Sequence, residues 1–315
     1  NRRLMDNTPD DAREQLEKLS GKFDAMGQDL SAQLEGFLHS RPVNYWDYIQ
    51  TDALLNLQVQ RTLYPDEMVF IMYHQINELL FKMILWEIEQ VAFKEVLTAR
   101  FFAERLQRIS RYFDMLTGSF TIMREGMEME QYLKFRLTLS PASGFQSAQY
   151  RLIEFGSTDL ENLIDARFRE KHDPQTPVDE SIEKLYWQAA GKDYKTGKKS
   201  YTLSQFELKY KDEFKRFLVK YKNLNLYARF KTLPEKDKND ATLREAMRHY
   251  DHTVNIKWVM SHFRAAQYYL NKGQEPIEAT GGSDWVKYMH PKYQKRIFFP
   301  ELWSQEERDD WGKHV

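Results

Sequence analysis

The chain contains no cysteine, and this one absence closes off a range of chemistry. Disulfides, zinc–thiolate sites, iron–sulfur clusters, nucleophilic thiols and thiolate-ligated or covalently attached haem all need that residue. A surplus of charge is missing as well. The 46 Lys and Arg face 47 Asp and Glu, for a net charge of −1, so nothing draws the chain generally toward nucleic acid or anionic membranes. Long apolar runs are also lacking. A membrane span needs roughly 18 consecutive apolar residues, whereas the richest stretches, Met68–Met72 and Leu79–Trp86, are broken by His74, Glu78 and Lys82. The N-terminal Asn-Arg-Arg-Leu-Met-Asp is charged and has no apolar core, so no secretory signal is expected, and a cytoplasmic location is the reading. There is no fixed-period repeat and no low-complexity tract. Phosphate-loop, nucleophile-elbow, zinc-protease and dinucleotide-fold patterns do not occur.

What remains is a chain of 315 residues, 42% apolar and 30% charged, the balance of a globular protein. It carries 20 Phe, 18 Tyr, 7 Trp and 12 Met. Such a stock suits either a bulky helical core or a pocket for a planar cofactor and an aromatic substrate, and composition leaves both open.

The dominant periodicity is helical. Apolar residues at three- and four-residue spacing run through 10–38 (Leu16, Leu19, Phe23, Met26, Leu30, Leu34, Phe37) and stop near Arg41-Pro42. Tyr48–Leu57 reads as helix too. Tyr64-Pro65-Asp66-Glu67 opens a long helix, with proline and acids in the first turn. Its face carries Phe70, His74, Phe81, Leu85 and Ile88. Further helices are expected over 98–124, 128–139, 145–155 and 159–169, with a break at Ser140-Pro141-Ala142-Ser143-Gly144 and a loop at 171–177. Residues 182–240 turn strongly charged and read as a helical excursion or cap on the main body. Asn239 or Asp240 caps a last long helix, 241–270, before an irregular segment marked by Gly281-Gly282 and Pro291. Strand signals are few. The expected fold is all-α, a bundle of long antiparallel helices forming a single domain over 1–315, with 1–44 as an N-terminal helical arm.

Several residues could carry chemistry. His74 lies on a mostly apolar helix, with Phe70 and Glu78 one turn away on the same face. Burial of an imidazole needs a partner or a purpose, so it is either a satisfied core group or a site residue. His262 follows Trp258 by four residues and is flanked by Ala265 and Ala266, which leave room for a flat macrocycle; a structural histidine packed on Trp258 is the plainer reading. Glu245, His249 and His252 have helical spacing that could gather a metal, but Arg248 and Asp251 interleave, and a solvated helix face explains them. Tyr132 and Arg136 project from one face toward the same volume, and a planar guanidinium with a hydroxyl beside it matches a carboxylate. The Pro-Ala-Ser-Gly turn that follows lets a ligand approach backbone closely. A second turn, Ala279-Thr280-Gly281-Gly282-Ser283, offers backbone N–H groups and a hydroxyl.

These segments together resemble a known family. Phe70-Ile-Met-Tyr-His74-Gln, Tyr132 with Arg136, Ser140-Pro-Ala-Ser-Gly-Phe-Gln-Ser147, Trp258 with His262, Ala279-Thr-Gly-Gly-Ser283 and Phe298-Phe-Pro-Glu-Leu-Trp303 occur in the order seen in tryptophan 2,3-dioxygenases, from about Tyr45 to Trp303. The resemblance implies an all-α fold around b-type haem and a homotetramer built as a dimer of dimers. It implies His262 as the axial iron ligand and His74 as the distal histidine that contacts the indole N–H. Arg136 and Tyr132 would hold the substrate carboxylate, and Thr280 would touch the amino acid's polar end. Phe70 and Leu139 would wall the indole pocket, with Ser143, Gly144 and Trp258 against the haem. Tyr45, Tyr48 and Ile49 would reach into a neighbouring subunit's site. The sequence departs from the family in places: Ala279 stands where the glycine turn usually begins with Gly, Asp284-Trp285 follow it, about four extra residues separate His262 from this turn, and the charged excursion over 182–240 does not align readily.

The implied reaction is cleavage of the indole C2–C3 bond of L-tryptophan by O2 on ferrous haem, giving N-formyl-L-kynurenine, the first step of tryptophan catabolism by the kynurenine pathway. Two rivals accompany it. One is a sibling haem oxygenase that inserts a single oxygen atom into a substituted indole or phenol; the other is a non-catalytic haem-binding helical protein.

Overall fold

The computed structural model describes residues 10–140, 142–270 and 290–315, the side chain of Leu270 excepted. The chain forms two compact units, 1–57 and 58–315. In the first, the expected single helix over 10–38 is two: α1 (Asp10–Ala25) and α2 (Leu30–His39). Gly27 takes a left-handed φ of +68° between them, and the Asp29 carboxylate caps α2 by accepting from the N–H groups of Ser31 and Ala32 at 3.2 and 3.1 Å. Helical periodicity persists across such a break, which is why the pattern alone does not reveal it. Next comes α3 (Tyr45–Ile49), starting three residues earlier than the periodicity indicated. Gln50, with φ +59°, separates it from the turn Thr51–Leu54.

The second unit is built around a helical hairpin. Its first helix, α4 (Asp66–Ala92), begins just after Pro65 and carries Asp66 and Glu67 in its first turn. Its partner, α5 (Ala99–Gly118), starts at Thr98, whose hydroxyl accepts from the Phe101 N–H. The two run antiparallel: Glu87 meets Arg105 near the connection, and Tyr73 meets Ser119 at the far end. Buried Ile84, Ile88, Val91, Phe102, Leu106, Ile109 and Phe113 fill the seam. The helix α6 (Met129–Phe135) runs on into a single 3-10 turn, Arg136–Thr138. Behind the hairpin lies α7 (Ala148–Ser157), buried all round from Tyr150 to Ser157.

The charged stretch conceals an amphipathic helix, α8 (Tyr201–Tyr221). Leu203, Phe206, Phe214, Leu218 and Tyr221 enter the same core as the hairpin, while its lysines stay outside. Three lysines, Lys192, Lys199 and Lys211, surround Glu183 at 2.7–2.8 Å. Those contacts outweigh the burial that opposes them and hold its carboxyl down at about 2.

The last long helix starts where the sequence placed it, with the Asp240 side chain accepting from the Leu243 N–H at 2.9 Å. It comprises α9 (Ala241–His252), a π-helical segment Thr253–Trp258, and α10 (Val259–Leu270). The π turn has a positional consequence. An α-helix turns about 100° per residue, so a run of four-residue steps drifts around it. Tyr250, Val254, Trp258 and His262 follow such a run, and the wider π winding keeps them near one face. On this helix, buried Asp251 accepts from the N–H groups of Phe298 and Phe299 at 2.9 and 3.0 Å and from the Trp303 indole at 3.0 Å. The Phe298–Trp303 motif thereby docks onto the helix that carries His262.

Among the described residues there is no strand, only two isolated bridges, Ile164–Leu185 and Lys192–Lys199. No described helix is long and apolar enough to cross a membrane. Among the described residues no group of three His, Asp or Glu could hold a metal ion. Glu245 and His249 are exposed on α9, but His252 is half-buried beside Trp311 and Asp251 is fully buried, so the expected solvated face holds only in part.

Candidate active site

A cavity of about 380 Å³ lies between α4, α6, α7 and α10. From α4 come Phe70, His74, Glu78 and Phe81, at the three- and four-residue steps that keep one helical face inward. Tyr132, Arg136 and Leu139 enter from α6 and the turn after it, Ser143 and Gly144 from the following loop, and Trp258 and His262 from the last helix. The cavity thus gathers most of the residues singled out in the sequence. Thr280 and its glycine turn lie outside the described residues. Tyr45, Tyr48 and Ile49 belong to the N-terminal unit, where all three are exposed.

Each polar group here is set by its neighbours. His74 Nδ1 lies 2.7 Å from the carbonyl oxygen of Phe70. A carbonyl can only accept, so in the neutral ring the proton sits on Nδ1 and Nε2 keeps its lone pair. His74 retains accessible surface, but that surface is cavity wall. Packing around the ring desolvates the imidazolium and lowers the His74 pKa, against the opposing pull of the Phe70 carbonyl and of Glu78. Phe70 sits against the ring at a centroid distance of 4.1 Å.

His262 is more strongly affected. Desolvation, and secondarily a charge on His74, push its pKa down to about 4. Both rings line the same cavity. Phe120 stacks on His262 at 5.5 Å and 14°, and Trp258 lies 5.8 Å away. Among the described residues His262 has no hydrogen-bond partner. Both histidines are therefore neutral at pH 7, each with a nitrogen lone pair available to a ligand.

Arg136 is buried and hydrogen-bonds the Tyr132 hydroxyl. Tyr132 in turn packs on Phe70, Phe135 and Tyr269, at centroid distances of 6.1, 5.5 and 4.0 Å. The turn carrying Arg136 is pinned from outside, where Arg61 donates to the Thr138 carbonyl at 2.9 Å. Buried Glu67 holds the segment around Arg61 by accepting from the N–H groups of Arg61 and Thr62.

Sequence reasoning did not identify Glu78 as the organiser of the small-residue loop. Its carboxylate accepts from Ser147 Oγ at 2.7 Å and Gln149 Nε2 at 2.9 Å, and its carbonyl from Gln149 at 2.8 Å. This ties the start of α7 to α4 and holds Ser143 and Gly144 against the cavity. The signal was present: Glu78 shares the face of His74, and Ser147 and Gln149 adjoin the distinctive block.

The chain is similar to known proteins over most of its length. The family model described as tryptophan 2,3-dioxygenase matches residues 31–278. A protein named tryptophan 2,3-dioxygenase from Geobacillus thermodenitrificans is 29% identical over 290 residues, covering 86% of this chain and 95% of that one. One of the same name from Exiguobacterium sibiricum is 30% identical over 278 residues, covering 84% and 92%. A third, from a Ruegeria species, is 42% identical over a shorter stretch of 115 residues, 36% of this chain and 40% of its own. With a family match over most of its length and relatives aligned nearly end to end, the chain belongs to the tryptophan 2,3-dioxygenase family.

Proposed function

We propose that this protein is a haem-dependent dioxygenase that cleaves the indole C2–C3 bond of L-tryptophan with O2 to give N-formyl-L-kynurenine, the entry to the kynurenine pathway. The observation that carries the proposal is the convergence, in one cavity, of two neutral histidines from different helices and a buried arginine–tyrosine pair.

The residues present fit a b-type haem. His262 is neutral and lines the cavity with a ring nitrogen lone pair free, which is what ligation of a haem iron would require. Gly144 leaves the space beside the ring open; a Cβ there would sit in ordinary contact with it, 3.5 Å from His262 Cε1. Ala265 and Ala266 keep the neighbouring wall low. His262 would hold the iron, and Ser143, Gly144 and Trp258 would adjoin the macrocycle. Bound there, ferrous haem supplies the redox chemistry that makes dioxygen reactive.

The chain's own work is selection and orientation. Arg136 and Tyr132 clamp the substrate carboxylate through a charge-assisted pair, which rejects indoles lacking it. His74 accepts the indole N–H at Nε2, the nitrogen its bond to Phe70 leaves open. Phe70 and Leu139 flank the ring and exclude water, and Thr280 serves the polar end of the amino acid. Tyr45, Tyr48 and Ile49 complete the site of a neighbouring subunit in a homotetramer, a dimer of dimers; their exposure in this chain supports that role. The 1–44 segment acts as an N-terminal helical arm of the enzyme, and the location is cytoplasmic.

The test is direct. Haem-loaded protein is reduced anaerobically, mixed with L-tryptophan and exposed to labelled O2. Formylkynurenine carrying two labelled atoms is expected. A product with one labelled atom would assign a sibling oxygenase, and no tryptophan-dependent product would leave only haem binding.

A further inference from the structure

The cavity holds a second guanidinium site that the proposed reaction leaves unused. Arg151 on α7 and Arg296 near the C-terminus both line it and are only 5% and 6% exposed. One carboxylate stands between them: Glu154, fully buried, 2.9 Å from Arg151 Nη1 and 2.5 Å from Arg296 Nη1. The Tyr186 hydroxyl donates to Glu154 at 2.6 Å and accepts from Nη1 of both arginines. Two cations against one anion leave a full positive charge in the protein interior, and an uncompensated buried charge is costly. The nearby buried Asp251 does not supply the balance, because its oxygens are taken by the backbone of Phe298 and Phe299, the Trp303 indole and Asn255.

The unpaired polar atoms around these arginines point the same way. Trp187 Nε1, Trp258 Nε1 and Arg151 Nε are buried without a hydrogen-bond partner, and the Tyr150 hydroxyl meets Arg296, to which it can only accept. Each of these four groups therefore keeps a hydrogen to donate, while Glu154 Oε2, also without a hydrogen bond, is ion-paired with Arg151. All four side chains line the cavity. Arg151 lies 4.7 Å over the Tyr150 ring, and Tyr150 stacks on Trp258 at 4.7 Å, one helical turn before His262. Surplus positive charge together with surplus donors is the complement of an anion.

We propose that Arg151 and Arg296 bind a carboxylate of the cofactor, a haem propionate, with Tyr150 and Trp258 supplying further hydrogen bonds. The inference rests on the haem reading above. It assigns the propionate and not the substrate, because tryptophan's one carboxylate has its partners in Arg136 and Tyr132, whereas haem brings two of its own. Glu154 then holds the arginine pair in place without neutralising it.

The charge count makes the site testable. Arg151→Met leaves Glu154 paired one-to-one with Arg296, so the haem-free variant should fold with a thermal midpoint equal to or above that of the parent. Loaded with haem, it should lose the cofactor to apomyoglobin roughly 10–100 times faster, the range of one hydrogen bond to a charged group. The parent should retain haem better than the uncharged haem dimethyl ester, and the variant should no longer distinguish them. The ester comparison on the parent chain needs no variant and stands alone. Equal retention of haem and ester by the parent would overturn the proposal while leaving the haem reading intact. So would a variant with unchanged haem retention and weakened L-tryptophan binding, which would give the site to the substrate. A parent that takes up no haem would instead sink the reading beneath it.

Discussion

The Nδ1 of His74 lies 2.7 Å from the carbonyl oxygen of Phe70, one turn back on α4. That bond fixes the neutral tautomer and leaves Nε2 as an acceptor inside the cavity. His74→Ala should therefore lower kcat/KM for L-tryptophan by about tenfold, the value of one lost hydrogen bond. Haem uptake should be unchanged, because His74 is not the axial ligand. A steady-state assay beside a haem titration separates the two effects, and loss of haem from this variant would reverse the assignment of the two histidines.

His262 makes the opposite prediction. His262→Ala should abolish stoichiometric haem binding, and full retention of haem would refute its role as ligand. In the haem-free chain the same residue should imprint a pH dependence. Its pKa is near 6.5 when unfolded and about 4 when folded, so within that window the unfolded state holds the extra proton. Stability should rise with pH between about 4 and 6.5 and be lost in acid, with a slope approaching about 1.4 kcal/mol per pH unit for one proton. Denaturant unfolding at several pH values checks this against His262→Phe, in which the slope should flatten.

Arg136→Ala removes the cation from the carboxylate clamp while leaving His74 and His262 in place. The expected cost is about 1.5–3 kcal/mol in the binding of L-tryptophan, appearing chiefly in KM. Tryptamine, which has no carboxylate, should be handled equally poorly by parent and variant. Unchanged kinetics with L-tryptophan would remove Arg136 from the site.

Asp251 links the C-terminal motif to the helix of His262. Burial pushes its pKa up to about 6, with the four hydrogen bonds to the carboxylate opposing the shift. The folded state therefore holds the proton between the usual carboxylate value and 6, and this group's contribution to stability falls as pH rises through that window. Asp251→Asn would turn an amide nitrogen toward donors that need an acceptor. Destabilisation by about 2–4 kcal/mol is expected in denaturant melts near neutral pH. A variant as stable as the parent would mean that the Phe298–Trp303 motif is anchored by other contacts.

The sequence showed most clearly those features governed by nearby residues. Pro65-Asp66 and Asp240 set helix starts because capping is settled within one turn of chain. The face shared by Phe70, His74 and Glu78 followed from helical spacing alone. The break between α1 and α2 stayed hidden because Gly27 and Asp29 interrupt the backbone without disturbing the apolar period. In 182–240 the density of charge masked the stripe from Leu203 to Tyr221 that joins the core.

By itself, then, the sequence determined the helical class, the chemistry open to a chain without cysteine, and the face on which each candidate residue lies, since all of these follow from composition and local geometry. Whether His74 or His262 was a satisfied core imidazole or part of a site was not a local question. The same apolar face suits either role, and the answer depends on what another helix, distant in the chain, brings opposite. Only tertiary packing put both rings, Arg136 and the Arg151–Arg296 pair around one cavity. It did so through contacts such as Glu78 with Ser147 and Asp251 with Phe298, whose partners no local pattern specifies.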